Sequence, residues 1–567
     1  MDQKAKARRK VQASALNYGF ADFETTTDPE DCRVWAWGLC DVAKDVTPEQ
    51  CLLGNGIEGF LSELAKGVYD KVYFHNLAFD GDFILYFLLQ RGFKVVDNNP
   101  GNGEISTLIS NMGKYYSIEV RFRTGVKVTL LDSLKKLPLS ISGIAKAYNL
   151  PEQKLHIDYD EYRAPGHELT EDERKYLVND IIIGAKAIAL MLEEGMTALT
   201  IGSDSLNAYK TMMPRFSHRF PELPIEYDDD FRLAYRGGWT FLNPKYARTV
   251  VGPGTVYDVN SLYPWVMRTQ PLPWGHPKWF NGYPWRTAAF IVSITFTAKL
   301  RRGYFPIIQV KGNPMYAPTQ YLDEIEDPIT LSVTSVDLAM WEKHYDMDIL
   351  SYNGGYYFQT DTGFFDEYID HFMEIKANSK GGQRTLAKLH LNSLYGKFAS
   401  RPRVTGKHPI LENEVIRLVE GEEVVKRPIY TPLSVFVTAY ARKKTIEAAQ
   451  ANYENFVYAD TDSIHVIGDV PEGSMEIHPT NLGAWKKEYN FDYATFWRAK
   501  AYTERKVDFE KQEVLGYETH IAGLPREIAD EVRIGDYWAG HELTGKLRAK
   551  RVKGGTVLVD TPYRIDV

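Results

Sequence analysis

The stretch that most constrains this chain is Phe456-Val457-Tyr458-Ala459-Asp460-Thr461-Asp462-Ser463-Ile464-His465-Val466. Two apolar, β-prone arms flank a polar centre, which predicts a hairpin with carboxylates at its tip. Asp460 and Asp462 are two residues apart, so extended backbone would turn both to one side. Two unit charges about 4 Å apart repel by roughly 4 kcal/mol at an effective dielectric of 20. Protonation of one carboxylate, a loop that splays the pair, or a hard divalent cation would each offset this. Turn chemistry alone also accounts for Asp-x-Asp, so the remaining acids have to decide.

At 567 residues the chain exceeds a single core, and two or more domains are expected. Its formal net charge is −8, so any basic surface for nucleic acid must be local. Thirty-six tyrosines supply many rings for stacking. Cys32, Cys40 and Cys51 contain no Cys-x-x-Cys and cannot all pair, which favours a reduced, intracellular protein. Lys4, Lys6, Arg8, Arg9 and Lys10 read as a solvated basic tail over residues 1–12, not as a signal peptide. No apolar run approaches the roughly 20 residues of a membrane span.

Carboxylates recur near the N-terminus. Tyr18 to Phe23 reads as a strand delivering Asp22 and Glu24 to one face. Val72-Tyr73-Phe74 reads as another strand, and Asp80 falls where it gives way to an apolar helix over Phe83 to Leu89. Glu173 to Met191 has a helical period, with Tyr176 and Asp180 on one face. Singly these have ordinary explanations: a solvent-facing pair, a helix cap, a surface Tyr–Asp pair. Together, in this order, they resemble the RNase H-like 3′–5′ proofreading exonucleases of the Tyr-containing class. The resemblance implies that Asp22, Glu24, Asp80 and Asp180 hold two magnesium ions, about 3.5–4 Å apart, with Tyr176 orienting the attacking water. It also implies single-strand contacts by His75, Asn76 and Phe79, a Ser/Thr-Leu motif at Ser133 and Leu134, a lysine assisting cleavage at Lys154, and a DNA-contacting Tyr159. Read alone, Phe79 suits a core and Lys154 a solvated surface.

Tyr235-Arg236-Gly237-Gly238 contains paired glycines, which allow close approach of backbone to a ligand but also make an ordinary turn. In Val256-Tyr257-Asp258-Val259-Asn260-Ser261-Leu262-Tyr263-Pro264, a strand ends at Asp258 and a turn or helix starts near Ser261. An acid beside the exposed Val259 carbonyl offers oxygen ligands to a hard cation. Gln383 to Phe398 is helical, with Arg384, Lys388, Asn392 and Tyr395 on one face. Such a face suits an anion, and a triphosphate fits; a solvated basic face explains the two cations alone. Lys376 could extend that face.

Asp258, the Lys388/Asn392/Tyr395-Gly396 helix and Tyr458-Ala459-Asp460-Thr461-Asp462-Ser463 stand in the order of family B polymerase motifs A, B and C. Lys500-Ala501-Tyr502 supplies the Lys-x-Tyr that grips the primer terminus in that family. Asn260-Ser261-Leu262-Tyr263-Pro264 and Leu391-Asn392-Ser393-Leu394-Tyr395-Gly396-Lys397-Phe398 are similar to the protein-primed DNA polymerases of small phages, the φ29 type. The resemblance runs from about Asp22 to Asp560. Ala459, where close relatives carry cysteine, and His390, where they carry an apolar residue, depart from the pattern.

The resemblance implies an α/β and α+β multidomain chain: an RNase H-like exonuclease domain followed by a right-hand polymerase of palm, fingers and thumb with two insertions. The expected boundaries are 1–200 for the exonuclease, 201–270 and 429–525 for the palm, 271–363 for an insertion that docks a terminal protein, 364–400 for the fingers, 401–428 for an insertion giving strand displacement and processivity, and 526–567 for the thumb. Lys546, Arg548, Lys550, Arg551 and Lys553 suit a phosphate-tracking element there, or a solvated charge run. The implied function is DNA-directed DNA synthesis with 3′–5′ proofreading and protein-primed initiation on a linear phage-type genome. Asp258, the Val259 carbonyl and Asp462 would hold two magnesium ions, manganese being able to substitute, with Asp460 a secondary contact. Tyr263 would lie under the incoming sugar and exclude a 2′-hydroxyl. Lys376, Arg384, Lys388, Asn392 and Tyr395 would bind the nucleotide, and Tyr235, Arg236, Gly237, Gly238, Lys500 and Tyr502 the DNA. Expected partners are template and primer, dNTPs, a terminal protein and a single-stranded DNA-binding protein, in the host cytoplasm, as a monomer or a heterodimer with the terminal protein. The competing readings are an exonuclease with an inactive polymerase half, and a non-catalytic single-strand-binding scaffold.

Overall fold

β1 (Tyr18–Thr25) has apolar side chains buried on both of its faces, which suits a central strand covered by helices on each side. The structure is a computed structural model that describes residues 16–159, 161–310, 320–533 and 542–564. The basic tail expected over residues 1–12 lies outside them. With β2 (Val34–Asp41), β3 (Leu52–Gly54), β4 (Lys71–Phe74), β5 (Lys94–Val95), β6 (Glu104–Ile109), β7 (Tyr115–Arg121) and β8 (Lys127–Asp132), β1 forms a sheet ordered β3-β2-β1-β4-β8-β7-β6-β5. β1, β4 and β8 run parallel at its centre.

One face packs Phe23 and Phe74 against α1 (Leu77–Gln90), and the other packs Phe20 and Tyr73 against α2 (Glu171–Glu193). Gly184 sets how closely α2 approaches, since a Cβ there would lie 2.0 Å from the Phe20 ring. Asp180, one turn earlier, is thereby brought down toward Asp22 on β1. The expected helix over Phe83 to Leu89 begins earlier, at Leu77, with Asn76 as N-cap at φ 74°. Asp80 is therefore not a junction cap but a buried residue in the first turn, where a carboxylate also meets the positive end of the helix dipole.

α3 (Ile201–Met212) leads to β9 (Thr240–Leu242), β10 (Val250–Val251), β11 (Gly254–Val259) and α4 (Leu262–Thr269). Residues 271–363 then build β12 (Leu272–Phe280), β13 (Ala289–Leu300), the short pair β14 (Gln309–Val310) and β15 (Gln320–Tyr321), β16 (Glu324–Thr334), α5 (Ser335–His344) and β17 (Tyr345–Asp361). The long strands make a separate sheet, β12-β17-β13-β16. α6 (Asp366–Asn378) and α7 (Gly381–Phe398) follow as adjacent packed helices. On α7, Leu386, His390, Leu391, Leu394 and Phe398 are buried while Arg384, Lys388 and Asn392 are exposed, the division a one-sided helix requires. His390 stacks on Phe372 of α6 with ring centroids 4.1 Å apart, so a flat polar ring does the work of an apolar one.

β18 (Arg403–Glu412) and β19 (Val415–Val425) form a separate two-stranded hairpin, followed by α8 (Thr431–Ala451). β20 (Phe456–Asp460), β21 (Ser463–Ile467), β22 (Trp485–Arg498), β23 (Ala501–Asp508) and β24 (Glu513–Ile521) complete the central sheet, ordered β24-β23-β22-β11-β21-β20-β9 with β10 on β22. β25 (Glu542–Leu543) pairs with β28 (Tyr563–Arg564), and between them β26 (Leu547–Val552) and β27 (Gly555–Asp560) form a second hairpin. That hairpin lies on α1 and β19. Arg551 Nε is 2.7 Å from Asp82 Oδ2, and Lys553 Nζ is 2.8 Å from Glu414 Oε2. Two of the five C-terminal cations are thus spent on tying the hairpin to the body, while Arg548 and Lys550 remain exposed.

One continuous core joins Leu206, Trp239, Tyr257, Phe290, Leu391 and Phe436, fusing the central sheet, the 271–363 sheet and α7. At its edge Arg442 of α8 makes a bidentate pair with Asp337 of α5 and donates to the carbonyls of Arg236 and Gly237 at 2.6 and 2.8 Å. Both charged groups are buried. Asp337→Ala leaves Arg442 buried without its counter-charge and is expected to cost about 3–5 kcal/mol, read as a lowered unfolding midpoint, whereas exposed Asp348→Ala stays within about 0.5 kcal/mol.

Candidate active sites

The predicted hairpin forms as β20 and β21, and its tip splays the two acids. Thr461 takes φ 63°, its amide donates to Trp239 O at 2.9 Å, and the Asp462 amide donates to Asp460 O at 2.7 Å. Gly238 has to be glycine here, because a Cβ would lie 2.5 Å from Thr461 Oγ1. The Tyr235–Gly238 turn therefore braces the hairpin tip. Asp460 turns to Lys500, whose Nζ lies 2.6 and 2.7 Å from its two oxygens, and accepts from Thr240 Oγ1 at 3.0 Å. Burial pushes its carboxyl up, but Lys500 outweighs this and holds it below the ordinary range.

Asp462 turns instead toward Asp258. The Val259 amide donates to Asp462 O at 2.8 Å, which locks the end of β11 to the tip. Burial, then Asp462, then Glu488 push Asp258 up to about 7. Burial also raises Asp462. Sequence reasoning missed Glu488 and Lys486, which face Asp258 because β22 pairs with β11.

Beside these acids Tyr263 and Tyr395 stack with centroids 4.1 Å apart and planes 21° from parallel. Lys376 belongs to α6, not to the α7 stripe. It reaches Ser261 Oγ at 3.0 Å, and Arg384 donates to its carbonyl at 2.6 Å. Burial, with Lys388 and Arg384 close by, lowers the Lys376 pKa. Among the described residues none of these three cations pairs with a carboxylate, a setting that suits a multiply charged anion.

The N-terminal acids also meet. Glu24, Asp80 and Asp180 are buried and Asp22 is half-buried. Burial and then Asp180 push Asp22 up to about 7. Burial and then Asp22 raise both Glu24 and Asp80 well above the carboxylate range. Lys154 Nζ lies 2.6 Å from Asp180 Oδ2. Asp80 Oδ1 and Asp180 Oδ1 have no hydrogen-bond partner among the described residues. Among those residues no three His, Cys, Asp or Glu side chains are placed so that they could together hold a metal ion. Tyr159 and Tyr176 share a hydrogen bond between their hydroxyls.

Some expected DNA contacts are turned inward. His75 Nδ1 lies 2.9 Å from Ser133 Oγ and Nε2 lies 2.7 Å from Leu139 O, so both ring nitrogens are engaged within the protein. Ser133 is buried. Arg236 is buried, donates to Ser332 O at 2.9 Å and lies over the Trp341 ring, so it braces the turn and does not face a phosphate. Asn76, Phe79, Leu134, Tyr159, Tyr235, Gly237, Lys500 and Tyr502 keep exposed or half-exposed surface. Asp132, missed in the sequence, accepts from the Asn76 and Leu134 amides at 3.1 and 2.9 Å and so couples the Asn76 and Leu134 segments.

A family model described as DNA polymerase type B, organellar and viral, matches residues 63–165 and 156–468. The DNA polymerase of Bacillus phage Nf is 40% identical over 572 residues, and that of Bacillus phage phi29 is 39% identical over 569; each alignment covers 96% of this chain and 98% of the relative. Phi29 DNA polymerase complexed with primer-template DNA matches with a TM-score of 0.92 at 37% identity, over 97% of this chain and all of that one. Its complex with primer-template DNA and incoming nucleotide matches at 0.91. The chain belongs to the type B DNA polymerases. Within them it is of the phi29 type, a DNA-directed DNA polymerase whose RNase H-like exonuclease domain precedes a right-hand polymerase domain.

Raised acids carry a pH signature. A carboxyl whose folded pKa lies above its unfolded value keeps its proton in the folded state, so stability falls as pH rises from about 4 to about 7. In chelator at pH 8, Asp22→Asn is expected to stabilise the protein by about 1–3 kcal/mol, a gain that vanishes near pH 4. Thermal unfolding at the two pH values checks this.

Proposed function

We propose that this polymerase carries two separate active sites, a proofreading 3′–5′ exonuclease at Asp22, Glu24, Asp80 and Asp180 and a nucleotidyl-transfer site at Asp258 and Asp462, and that it initiates on a protein hydroxyl. The observation that carries the reading is the presence of two acid clusters on separate sheets, each holding carboxylates pushed up by burial and by one another. Unpartnered oxygens on Asp80 and Asp180 and an all-oxygen donor set fit magnesium, or manganese in its place. The four N-terminal acids would hold it in one site, and Asp258, the Val259 carbonyl and Asp462 in the other. Substrate phosphate would supply further ligands at both sites. When bound, the metal activates the attacking hydroxyl or water and neutralises the leaving group.

In the polymerase site Lys376, Arg384 and Lys388 fix the triphosphate, and Asn392 continues that exposed face. The Tyr263–Tyr395 stack makes a rigid floor for the sugar, where a ring leaves no room for a 2′-hydroxyl. Lys500 neutralises Asp460 and with Tyr502 grips the primer end. In the exonuclease site Tyr176, tied to Tyr159, orients the attacking water, and Lys154 balances Asp180. Asn76, Phe79 and Leu134 bind the frayed strand, with His75 and Ser133 bracing them from within. The domain limits given above are proposed for these activities. The sheet of residues 271–363 is the proposed terminal-protein dock, and the 401–428 hairpin, tied to the C-terminal hairpin through Glu414 and Lys553, the strand-displacement element. The setting is the interior of an infected host cell, with a single-stranded DNA-binding protein as a further partner. No helix among the described residues is long and apolar enough to cross a membrane.

Primer extension and single-strand degradation are compared in wild type, Asp462→Ala and Asp22→Ala with magnesium. Asp462→Ala is expected to lose extension at least about a hundredfold while still degrading single strands, and Asp22→Ala to do the reverse. Loss of both activities in either variant overturns the two-site reading. Transfer of a dNMP to a terminal protein then tests initiation.

A further inference from the structure

Glu504 lies in β23 with none of its surface exposed. Its two oxygens face different strands. Oε1 is 2.8 Å from His465 Nδ1 on β21, and Oε2 accepts from Tyr489 OH on β22 at 2.6 Å. In sheet order β11 and β22 separate β21 from β23, so the bond to His465 bridges strands that are not neighbours. His465 is also buried. A buried carboxylate is costly, and apolar residues of similar volume would fill a core as well. Directional bonds between distant strands give what an apolar contact does not: one fixed spacing.

What that spacing controls follows from the next layer. The His465 ring packs against Tyr458 and Tyr502 at centroid distances of 5.2 and 5.3 Å, and those two rings lie 5.3 Å from each other. Tyr458 OH donates to Asp460 Oδ2 at 3.2 Å and accepts from the Lys500 amide at 3.0 Å. The Lys500 ammonium closes the loop on Asp460. A continuous path therefore runs from Glu504 through His465 and the tyrosine rings to the Lys500–Asp460 pair at the hairpin tip.

We infer that Glu504, with His465, is a positioning residue for the primer terminus, holding Tyr458 and Tyr502, and through them Lys500, in register with the hairpin that carries Asp462. The inference rests on the primer-gripping role assigned above to Lys500 and Tyr502. Glu504 touches none of the reacting atoms, so its effect lies in how tightly the primer end is held and not in nucleotide binding.

The test uses full-length wild type, Glu504→Ala, Glu504→Gln and Tyr489→Phe with magnesium, a labelled primer–template and graded dNTP. Single-strand degradation and thermal unfolding are measured in parallel. Glu504→Ala is expected to raise KM for primer–template at least about fivefold, and likewise the dNTP concentration at which extension overtakes degradation. KM for dNTP and single-strand degradation are expected to stay within about twofold of wild type. Glu504→Gln, which keeps a hydrogen-bonding head in place, recovers most of the loss. If the alanine variant does not accumulate, Tyr489→Phe reads the same parameter at about two- to threefold. An unchanged primer KM in variants that fold overturns the inference. So does a uniform fall of extension and degradation together with the unfolding midpoint, which marks a purely structural role. A wild type that never extends primers overturns the polymerase reading itself, and this inference with it.

Discussion

Asp258 and Asp462 stand close together at the end of a sheet, in surroundings that resist their charge, and much of the molecule is arranged to keep them there. Left to relax, two such carboxylates would move apart or take up protons. The hairpin tip prevents the first. Its backbone is pinned by Trp239 and by the Val259 amide, and Gly238 leaves the space in which Thr461 sits. Lys500 draws Asp460 aside and relieves the tip of a third uncompensated charge. The same problem is met differently at the N-terminal cluster. There the acids come from a strand and two helices, and a glycine on α2 lets one helix settle close enough to deliver Asp180.

Both clusters store electrostatic strain that favourable packing elsewhere has to offset. The large shared core around Trp239, Tyr257 and Phe436 does this for the polymerase half. Buried ion pairs then set direction more than strength. Arg442 with Asp337 fixes α5 to α8 and to the turn carrying Gly237. Lys136 with Asp204, Nζ to Oδ2 at 2.6 Å, fixes the segment after Ser133 to α3. The Lys136–Asp204 pair registers the N-terminal domain against α3, and the Arg442–Asp337 pair registers elements within the polymerase half.

The acids were legible in the sequence because their spacings are local, although each taken alone had an ordinary explanation. Two aspartates at a hairpin tip, an Asp at a strand end and a Tyr one turn before an Asp are local patterns, read from spacings of two to four residues. The helix that presents Arg384, Lys388 and Asn392 was legible for the same reason. What the sequence hid was pairing over long separations. Lys500 is 40 positions from Asp460 and Arg442 is 105 from Asp337, and no periodicity links them. The inward turn of Arg236 and the engagement of both His75 nitrogens were hidden likewise, since a polar residue beside a substrate segment reads as a contact until its partner is known. Asp80 was misplaced by one element because Asn76 adopts a left-handed backbone and starts the helix earlier than the apolar run suggests.

Asp82 carries one more consequence. Its carboxylate is buried on α1 and is matched by Tyr115, by Arg551 and by Thr556, the last two from the final hairpin. A ribosome delivers α1 long before it delivers residue 551. Until then the N-terminal domain holds an acid whose counter-charge has not yet been synthesised, and that region cannot reach its final stability. The arrival of the last hairpin both neutralises Asp82 and links α1 to the 401–428 hairpin through Lys553 and Glu414. A chain cut before residue 551 would keep both acid clusters, yet its buried Asp82 carboxylate would lack Arg551 and Thr556, which lowers the stability of the domain around α1.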